Sequence, residues 1–230
     1  MTVFRSALFL AWFLVVTTIL SLVFLPVLIL PRGATIWLAR VWSRATFFGL
    51  KIFAGIGWEI RGTRPKGPVL VAAKHMSMWD TLALYLALDA PAIVLKRELL
   101  RIPFYGWFLW KATAIPIDRA AGASALRKMA AHARAILGEG RPILIFPEGT
   151  RKKPGAAPDY KPGVAGLYTM LDVPCVPVAL NSGVYWTGFC KRPGIIVLEF
   201  LPPIPPGLKR ADFMRRLEEH IETATNRLLP

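Results

Sequence analysis

A histidine and an aspartate that could act together in proton transfer, His75 and Asp80, lie five positions apart in the segment VAAKHMSMWD. An imidazole with a carboxylate beside it is a candidate general base. Residues five apart on one straight helix point about 140° away from each other, so the pair can meet only across a turn. Ser77 and Asp80 have the spacing of a capping box, which predicts a turn at His75 and a helix that starts directly after Ser77. The alternative is purely structural: Asp80 caps the helix and His75 hydrogen-bonds the loop.

A second group of residues suited to chemistry is found in the segment ILIFPEGTR, residues 143–151. Its apolar half predicts a buried strand, and the turn that follows presents Arg151. Gly149 can take positive φ values and expose backbone N–H groups, and the guanidinium fork matches the oxygens of a phosphate. The segment therefore predicts an anion site, with an ordinary surface turn as the alternative. Arg119 is a second candidate for the same anion, unless it pairs with Asp118.

Short apolar runs alternate with helical patterns from residue 69 onward, which predicts an α/β domain with a mixed, largely parallel sheet flanked by helices. The predicted strands are 69–73, 92–95, 114–117, 143–146, 175–180 and 195–200. The predicted helices are 78–88, 103–111, 123–137, 164–171 and 211–228.

Charged or titratable residues follow four of these predicted strands. They are Lys74 and His75, Lys96 and Arg97, Asp118 and Arg119, and Glu148 with Arg151. Ligands of open α/β sheets bind beyond the carboxyl ends of the strands. We therefore expect these residues to converge on one cleft with a cationic lining.

The N-terminal quarter has the composition of a membrane-binding segment. Residues 6–31 carry no charge, and about 20 apolar residues span a bilayer. The run is too long for a signal peptide and no small-x-small cleavage site follows, which favours a retained helix. Pro26 and Pro31 interrupt its end, so it could span the bilayer or be re-entrant.

A second apolar and aromatic segment, residues 34–58, carries Arg40, Arg44 and Lys51 on one helical face. This pattern predicts an interfacial helix against anionic headgroups, with a core-facing helix as the alternative. The predicted organisation is two membrane-anchoring helices in residues 1–58 and an α/β domain in residues 59–230. Basic residues at 61, 64 and 66 predict that this domain lies on the cytoplasmic side.

Composition agrees with a membrane surface as partner. The 230 residues carry a net charge of +15, and mean hydropathy is +0.45. A basic and apolar chain points to an anionic membrane before nucleic acid, and no basic tail or zinc-finger spacing is present. Cys175 and Cys190 are the two cysteines, too few for a disulfide framework or a metal site.

The motifs together resemble those of the glycerolipid acyltransferase family, most closely its bacterial 1-acylglycerol-3-phosphate acyltransferases. HMSMWD has the family's His-x-x-x-x-Asp form, and FPEGTR at 146–151 matches a second signature. Residues 117–119 and 176–178 resemble an intervening block and a last block. The resemblance covers residues 69–180, and the departure is Met76, where these enzymes often have glutamine.

The resemblance implies transfer of a fatty acyl group from acyl-CoA or acyl-carrier protein to the sn-2 hydroxyl of 1-acylglycerol-3-phosphate, giving phosphatidic acid. His75 would be the general base and Asp80 would orient it. The substrate-binding set would be Ser77, Lys96, Arg119, Glu148, Gly149, Thr150 and Arg151. No metal and no cofactor beyond the acyl-donor co-substrate is expected.

The expected partners are membrane lipids, the lysophospholipid acceptor and the anionic acyl donor, and the expected location is the bacterial inner membrane. Two other readings remain open at this stage. One is an acyltransferase for a different lysolipid, such as a lyso-ornithine lipid, which Met76 allows. The other is a non-catalytic membrane lipid-binding protein, which would leave His75, Asp80 and Arg151 unexplained.

Overall fold

Helices and strands alternate along the described residues, 1–117 and 122–230, of the computed structural model. The helices are α1 (Thr2–Val23), α2 (Arg32–Gly49), α3 (Met78–Ala87), α4 (Tyr105–Lys111), α5 (Gly122–Gly138), α6 (Gly163–Leu171), α7 (Ser182–Tyr185) and α8 (Arg210–Leu228). The strands are β1 (Ile56–Arg61), β2 (Leu70–Ala73), β3 (Ala92–Lys96), β4 (Ile115–Ile117), β5 (Ile143–Ile145), β6 (Cys175–Leu180), β7 (Trp186–Thr187), β8 (Cys190–Lys191) and β9 (Gly194–Phe200).

Seven of the described strands form one mixed sheet in the order β1-β9-β6-β2-β5-β3-β4. The neighbours are parallel except for β6 and β9, which run antiparallel. β2 is central, and its Leu70 lies opposite both Ile143 and Cys175. The predicted α/β class with a mixed, largely parallel sheet is confirmed.

Helices cover both faces of the sheet because the buried strands are apolar on both sides. Along β2, Leu70 and Ala72 face a core completed by α5, α6 and α8. Val71 and Ala73 face the opposite core, formed with α3 and the N-terminal helices. The carboxyl ends of β2, β5 and β3 consequently open at one edge, as the sequence predicts.

The N-terminal helices form an antiparallel hairpin joined by a 3₁₀ turn, Leu25–Ile29. α2 continues into a π-helical turn, Leu50–Ala54, which ends at Gly55 with φ +69°. The helical part thus stops before the predicted residue 58, and β1 crosses the predicted division between 58 and 59. Its alternating apolar residues directly continue an aromatic helix, which hid the strand in the sequence.

The hairpin is also part of the domain core. The ring of Phe47 stacks on that of Trp79 in α3, with centroids 5.5 Å apart and planes at 8°. Phe9 of α1 is buried in the same core. Removal of the hairpin would therefore uncover one face of the sheet, so it is not a detachable anchor.

α1 lies along the domain instead of projecting from it. At its beginning, Arg5 Nε donates to the carbonyl of Phe53 (2.8 Å) and Ser6 Oγ accepts from the Lys191 amide (2.8 Å). The 3₁₀ turn after its end lies against α4. Among the described helices, α1 is the one long and apolar enough to cross a membrane, with a mean hydropathy of 2.3.

Candidate active site

The catalytic pair predicted from the sequence is brought together where β2 gives way to α3. His75 Nδ1 lies 3.0 Å from Asp80 Oδ2. That carboxylate oxygen already accepts from the Met76 amide (2.6 Å) and the Ser77 amide (2.8 Å), so Nδ1–H must be the donor toward it. The Nε2 atom of His75 is left as the basic nitrogen.

Ser77 and Asp80 form the predicted capping box of α3. Ser77 Oγ accepts from the Trp79 amide (3.2 Å), and the Asp80 carboxylate bonds the backbone of the residues before the helix. Asp80 therefore caps the helix and orients His75 at the same time. The capping box is confirmed, and the catalytic role of the pair stays a prediction.

Ser182, the first residue of α7, also contacts this pair. Its hydroxyl donates to Asp80 Oδ1 and accepts from Ser77 Oγ, 2.8 Å away. Ser182 and Asp80 are both fully buried. Nothing in the spacing could reveal the contact, because the two residues are 102 positions apart.

The segment that follows β5 fixes the ring and the backbone of His75. Phe146 stacks on the imidazole, with centroids 4.0 Å apart and planes at 22°. The His75 carbonyl accepts from the Lys152 amide (2.9 Å), and the His75 amide donates to Glu148 Oε2 (3.4 Å). The two sequence motifs thus form one unit in space.

Glu148 belongs to a buried ionic network behind His75. Lys74 Nζ lies 2.8 Å from a carboxylate oxygen of Glu148 and 2.8 Å from one of Glu222 in α8. Tyr160 donates its hydroxyl to the same Glu222 oxygen (2.8 Å). Burial raises the pKa of Glu148, and Lys74 partly offsets that rise. Burial and the Glu222 charge raise the pKa of Tyr160, which stays a donor.

His75 opens on a cavity of about 1260 Å³ that runs from the strand ends to the N-terminal hairpin. Its apolar walls come from the helices α1 to α5 and include Phe13, Leu20, Leu38, Trp42, Leu82, Tyr85, Phe108 and Leu126. Basic side chains line it too: Lys96, Arg151, Lys161 and Arg210. A fatty chain fits the apolar part and an anionic group fits the basic residues.

Five of the predicted site residues line this cavity: His75, Lys96, Gly149, Thr150 and Arg151. Gly149 has the expected positive φ, +62°. Its amide, however, donates to the Phe146 carbonyl (2.9 Å) and thereby closes the turn. This use of the amide differs from the exposed donor that we expected.

The remaining predicted residues are placed elsewhere. Ser77 and Glu148 are buried and do not line the cavity, because one caps α3 and the other pairs with Lys74. Lys74, expected in the cationic lining, is 2% exposed for the same reason. Arg119 lies outside the described residues.

The side chain of Met76 points away from the large cavity. It is buried and lines a separate hollow of about 640 Å³ beside Lys74 and α8. Its Cβ also lies against Gly183. The difference from glutamine at this position therefore does not alter the wall that an acceptor lipid would touch.

A buried carboxylate that orients an imidazole, at the basic end of a long apolar cavity, defines an enzyme that activates a hydroxyl next to a fatty chain. The Acyltransferase family model matches residues 58–181. That is more than half of the chain, which therefore belongs to this family.

Curated relatives agree with this assignment. The chain is 37% identical over 173 residues to a 1-acyl-sn-glycerol-3-phosphate acyltransferase of Pseudomonas aeruginosa, covering 73% of this chain and 67% of the relative. It is 32% identical over 205 residues to the alpha enzyme of the same name from Ovis aries, covering 83% and 70%.

A solved structure agrees with the fold. The crystal structure of the 1-acyl-sn-glycerophosphate acyltransferase from Thermotoga maritima superposes with a TM-score of 0.77 over 99% of both chains. Sequence identity is 21%, so this comparison supports the architecture, including the N-terminal hairpin, and not the substrate.

Proposed function

We propose that the chain transfers a fatty acyl group from a thioester to the sn-2 hydroxyl of 1-acylglycerol-3-phosphate and so makes phosphatidic acid. The observation that carries the proposal is the His75–Asp80 pair, 3.0 Å apart, at a large apolar cavity that Arg151 also lines. The names of the curated relatives support the acceptor.

His75 Nε2 takes the proton of the acceptor hydroxyl as its oxygen attacks the thioester carbonyl. Asp80 holds Nδ1–H in place and stabilises the imidazolium that forms. The tetrahedral intermediate then expels the thiolate, which takes the proton from Nε2 as free thiol. The acceptor supplies the nucleophile, so no acyl-enzyme is formed.

Arg151 and Lys96 hold the acceptor phosphate at the basic end of the cavity, and Arg119 is proposed to join them. Within the described residues, the side chains of Arg151 and Lys96 make no hydrogen bond or ion pair, and both line the cavity, so both suit an anion. The apolar walls between α2 and α3 take a fatty chain. Thr150 borders the same space.

The acyl donor is either acyl-CoA or acyl-carrier protein. Coenzyme A carries phosphates and acyl-carrier protein is acidic, so a chain of net charge +15 attracts either one. This co-substrate is the non-lipid partner in the proposal. No separate cofactor is needed for the proton transfers above.

The hairpin holds the cavity at the cytoplasmic surface of a bacterial inner membrane. The outer face of α1 exposes Leu14, Val15 and Ile19, and α2 exposes Trp37 and Phe48. Both ends of α1 contact the domain, which favours a helix lying in one leaflet over one that crosses the bilayer. Arg44 on the outer face of α2 and Lys51 in the π-helical turn after it are both exposed and suit anionic headgroups.

The test is an acyl-transfer assay with the purified full chain. Lysophosphatidate, a lyso-ornithine lipid and a neutral lysolipid are each offered with acyl-CoA and with acyl-carrier protein. We expect phosphatidic acid from lysophosphatidate, and loss of about 10²- to 10⁴-fold in rate in His75→Ala. A preference for the lyso-ornithine lipid would make it the acceptor in place of lysophosphatidate. Transfer by His75→Ala at the full rate would refute the assignment of His75 as the general base.

A further inference from the structure

Five large apolar or aromatic side chains form an exposed patch around α4. The aromatic patch consists of Ile102, Phe104, Tyr105, Trp107 and Trp110. Each is more than one-third exposed, and Trp110 is 72% exposed. Five such residues within nine positions are far more than isolated surface hydrophobics, and contiguous apolar surface of this kind marks an interaction site.

The backbone is built to present this patch. Phe104 has φ +61° and ψ −61°, a positive-φ conformation that a residue with a side chain adopts only under constraint from its surroundings. Gly106 lies close to a second 3₁₀ turn, Arg97–Arg101, which precedes α4. A Cβ at Gly106 would lie 2.2 Å from the Leu100 carbonyl oxygen. The Phe104 and Trp107 rings then meet at 5.0 Å. The arrangement is fixed by close packing and is not a frayed loop.

The inner side of the same segment is a wall of the active-site cavity. Phe108 and Leu109 line that cavity, whereas Trp107 and Trp110 do not, and Tyr105 is both exposed and at the cavity wall. α4 therefore has one side toward the site of acyl transfer and the other toward the surroundings of the protein.

The position of the patch indicates what covers it. α4 lies against α2 and against the 3₁₀ turn of the hairpin, where Ile29 is 85% exposed. The patch thus continues the exposed apolar surface of the hairpin. Arg101 and Lys111 flank it in sequence. Tryptophan with flanking cations is the composition of a segment at a membrane–water interface.

We propose that the aromatic patch is a second membrane-docking surface, which inserts into the headgroup region of an anionic bilayer beside the hairpin. This proposal rests on the membrane-bound acyl transfer proposed above. Docking of the patch puts the rim of the cavity at the depth of the acceptor headgroup, so that a lysolipid enters past α4 without leaving the membrane. The flanking cations favour anionic lipid over a second, equally basic copy of this chain.

A depth probe tests the docking without any need for turnover. Trp110→Cys in a Cys190→Ser background is labelled with an environment-sensitive fluorophore, and Arg216→Cys, exposed on α8, is the matched control. The native Cys175 is buried, and burial raises its thiol pKa, so it does not react. The protein is bound to phosphatidylglycerol-containing vesicles with a nitroxide on the headgroup or deep in the acyl chain.

We expect the label at 110 to be quenched more by the headgroup nitroxide and the label at 216 to be unaffected. Equal, weak quenching at both positions would overturn the proposal. So would energy transfer between labelled copies at 110 without lipid quenching, since that identifies a dimer. Because this readout is independent of activity, quenching at 110 in a protein without acyltransferase activity would refute only the proposed function.

Kinetics give the second measurement. Trp107→Ser/Trp110→Ser should raise the apparent KM for lysophosphatidate embedded in anionic vesicles about tenfold, which corresponds to about 1.4 kcal/mol. The rate with the acceptor in detergent micelles should stay unchanged. The control Ile195→Ser removes an equally exposed apolar side chain from β9. An equal loss in vesicles and micelles, or an equal loss in the control, would overturn the docking role.

Discussion

The two sides of His75 differ in almost every physical property. On the cavity side, its neighbours are apolar walls and basic side chains, among them Lys96 and Arg151. On the other side lie Asp80, Glu148 and Lys74, which are at most 2% exposed and are all hydrogen-bonded. The open side has room for two substrates, and the closed side holds one imidazole nitrogen in a fixed position.

The two sides of His75 also differ in how their charged groups are stabilised. Desolvated charges are expensive unless they are paired or hydrogen-bonded, and each charge on the closed side has hydrogen-bonding partners. The basic side chains that we propose for phosphate binding line the open cavity instead, where water can hydrate them. Substitutions on the closed side should therefore change stability or turnover, and those on the open side should change binding.

The largest effect is expected for Asp80→Asn, which removes the negative charge of Asp80 but can keep its hydrogen-bond geometry. The amide oxygen can keep the bonds from the Met76 and Ser77 amides, and its NH₂ can face the hydroxyls of Ser77 and Ser182. The fold should thus survive, with Tm close to that of the parent. The rate should fall about 10³- to 10⁴-fold, because no charge stabilises the imidazolium. A small rate loss with a large fall in Tm would show that Asp80 is mainly a helix cap.

Lys74→Met should break the closed side without touching the cavity. It leaves Glu148 and Glu222 buried without their cation, and loss of one partner of a buried pair costs about 3–5 kcal/mol. Chemical denaturation of the purified chain measures this. The double variant Lys74→Met/Glu148→Gln is the control and should recover part of the loss, because one uncompensated charge is removed.

The same variant has a predictable pH dependence. Burial already raises the pKa of Glu148, and removal of Lys74 removes a cause that lowers it. A carboxyl whose pKa is higher in the folded state than in the unfolded state destabilises the fold more as pH rises through that interval. The stability deficit of Lys74→Met should be greatest at neutral pH and should shrink toward pH 5. A deficit independent of pH would contradict the charged network.

Much of this architecture can be predicted from the sequence, because the patterns that indicate the strands and the helix cap are local. Each buried strand next to His75 is a short apolar run with a turn after it, and the capping box places Asp80 by itself. β1 was missed because its residues continue an aromatic helix without a break. Lys74 reads as an exposed cation in the sequence, since its partners are 74 and 148 positions away. The Glu148 contact depends on the pairing of β2 with β5 and the Glu222 contact on the packing of α8, and no motif records either.

Arg151→Ala tests the open side. If the guanidinium holds the phosphate, the apparent KM for lysophosphatidate should rise roughly 10- to 100-fold, the value of a charge-assisted hydrogen bond or two. Tm should not change, because Arg151 is exposed and has no ion pair among the residues the structure describes. Arg151→Lys should recover part of the affinity. An increase in KM for the acyl donor alone would move the arginine to the donor site.

Ser182→Ala is expected to give the smallest effect. It tests most directly whether the closed side of His75 acts on turnover and not on substrate binding. It removes one of the two hydroxyls that contact Asp80 Oδ1 and leaves Ser77 Oγ, 3.2 Å away, in place. A single hydrogen bond to a charged group contributes about 1.5–3 kcal/mol, and the remaining Ser77 hydroxyl offsets part of the loss, so kcat should fall about 5- to 20-fold. KM should not change, because Ser182 is buried behind Asp80 and does not line the cavity. The control is Thr46→Val, which alters an equally buried hydroxyl that has no hydrogen-bond partner among the described residues. A rise in KM, or an equal loss in the control, would mean that Ser182 supports packing and not the orientation of Asp80.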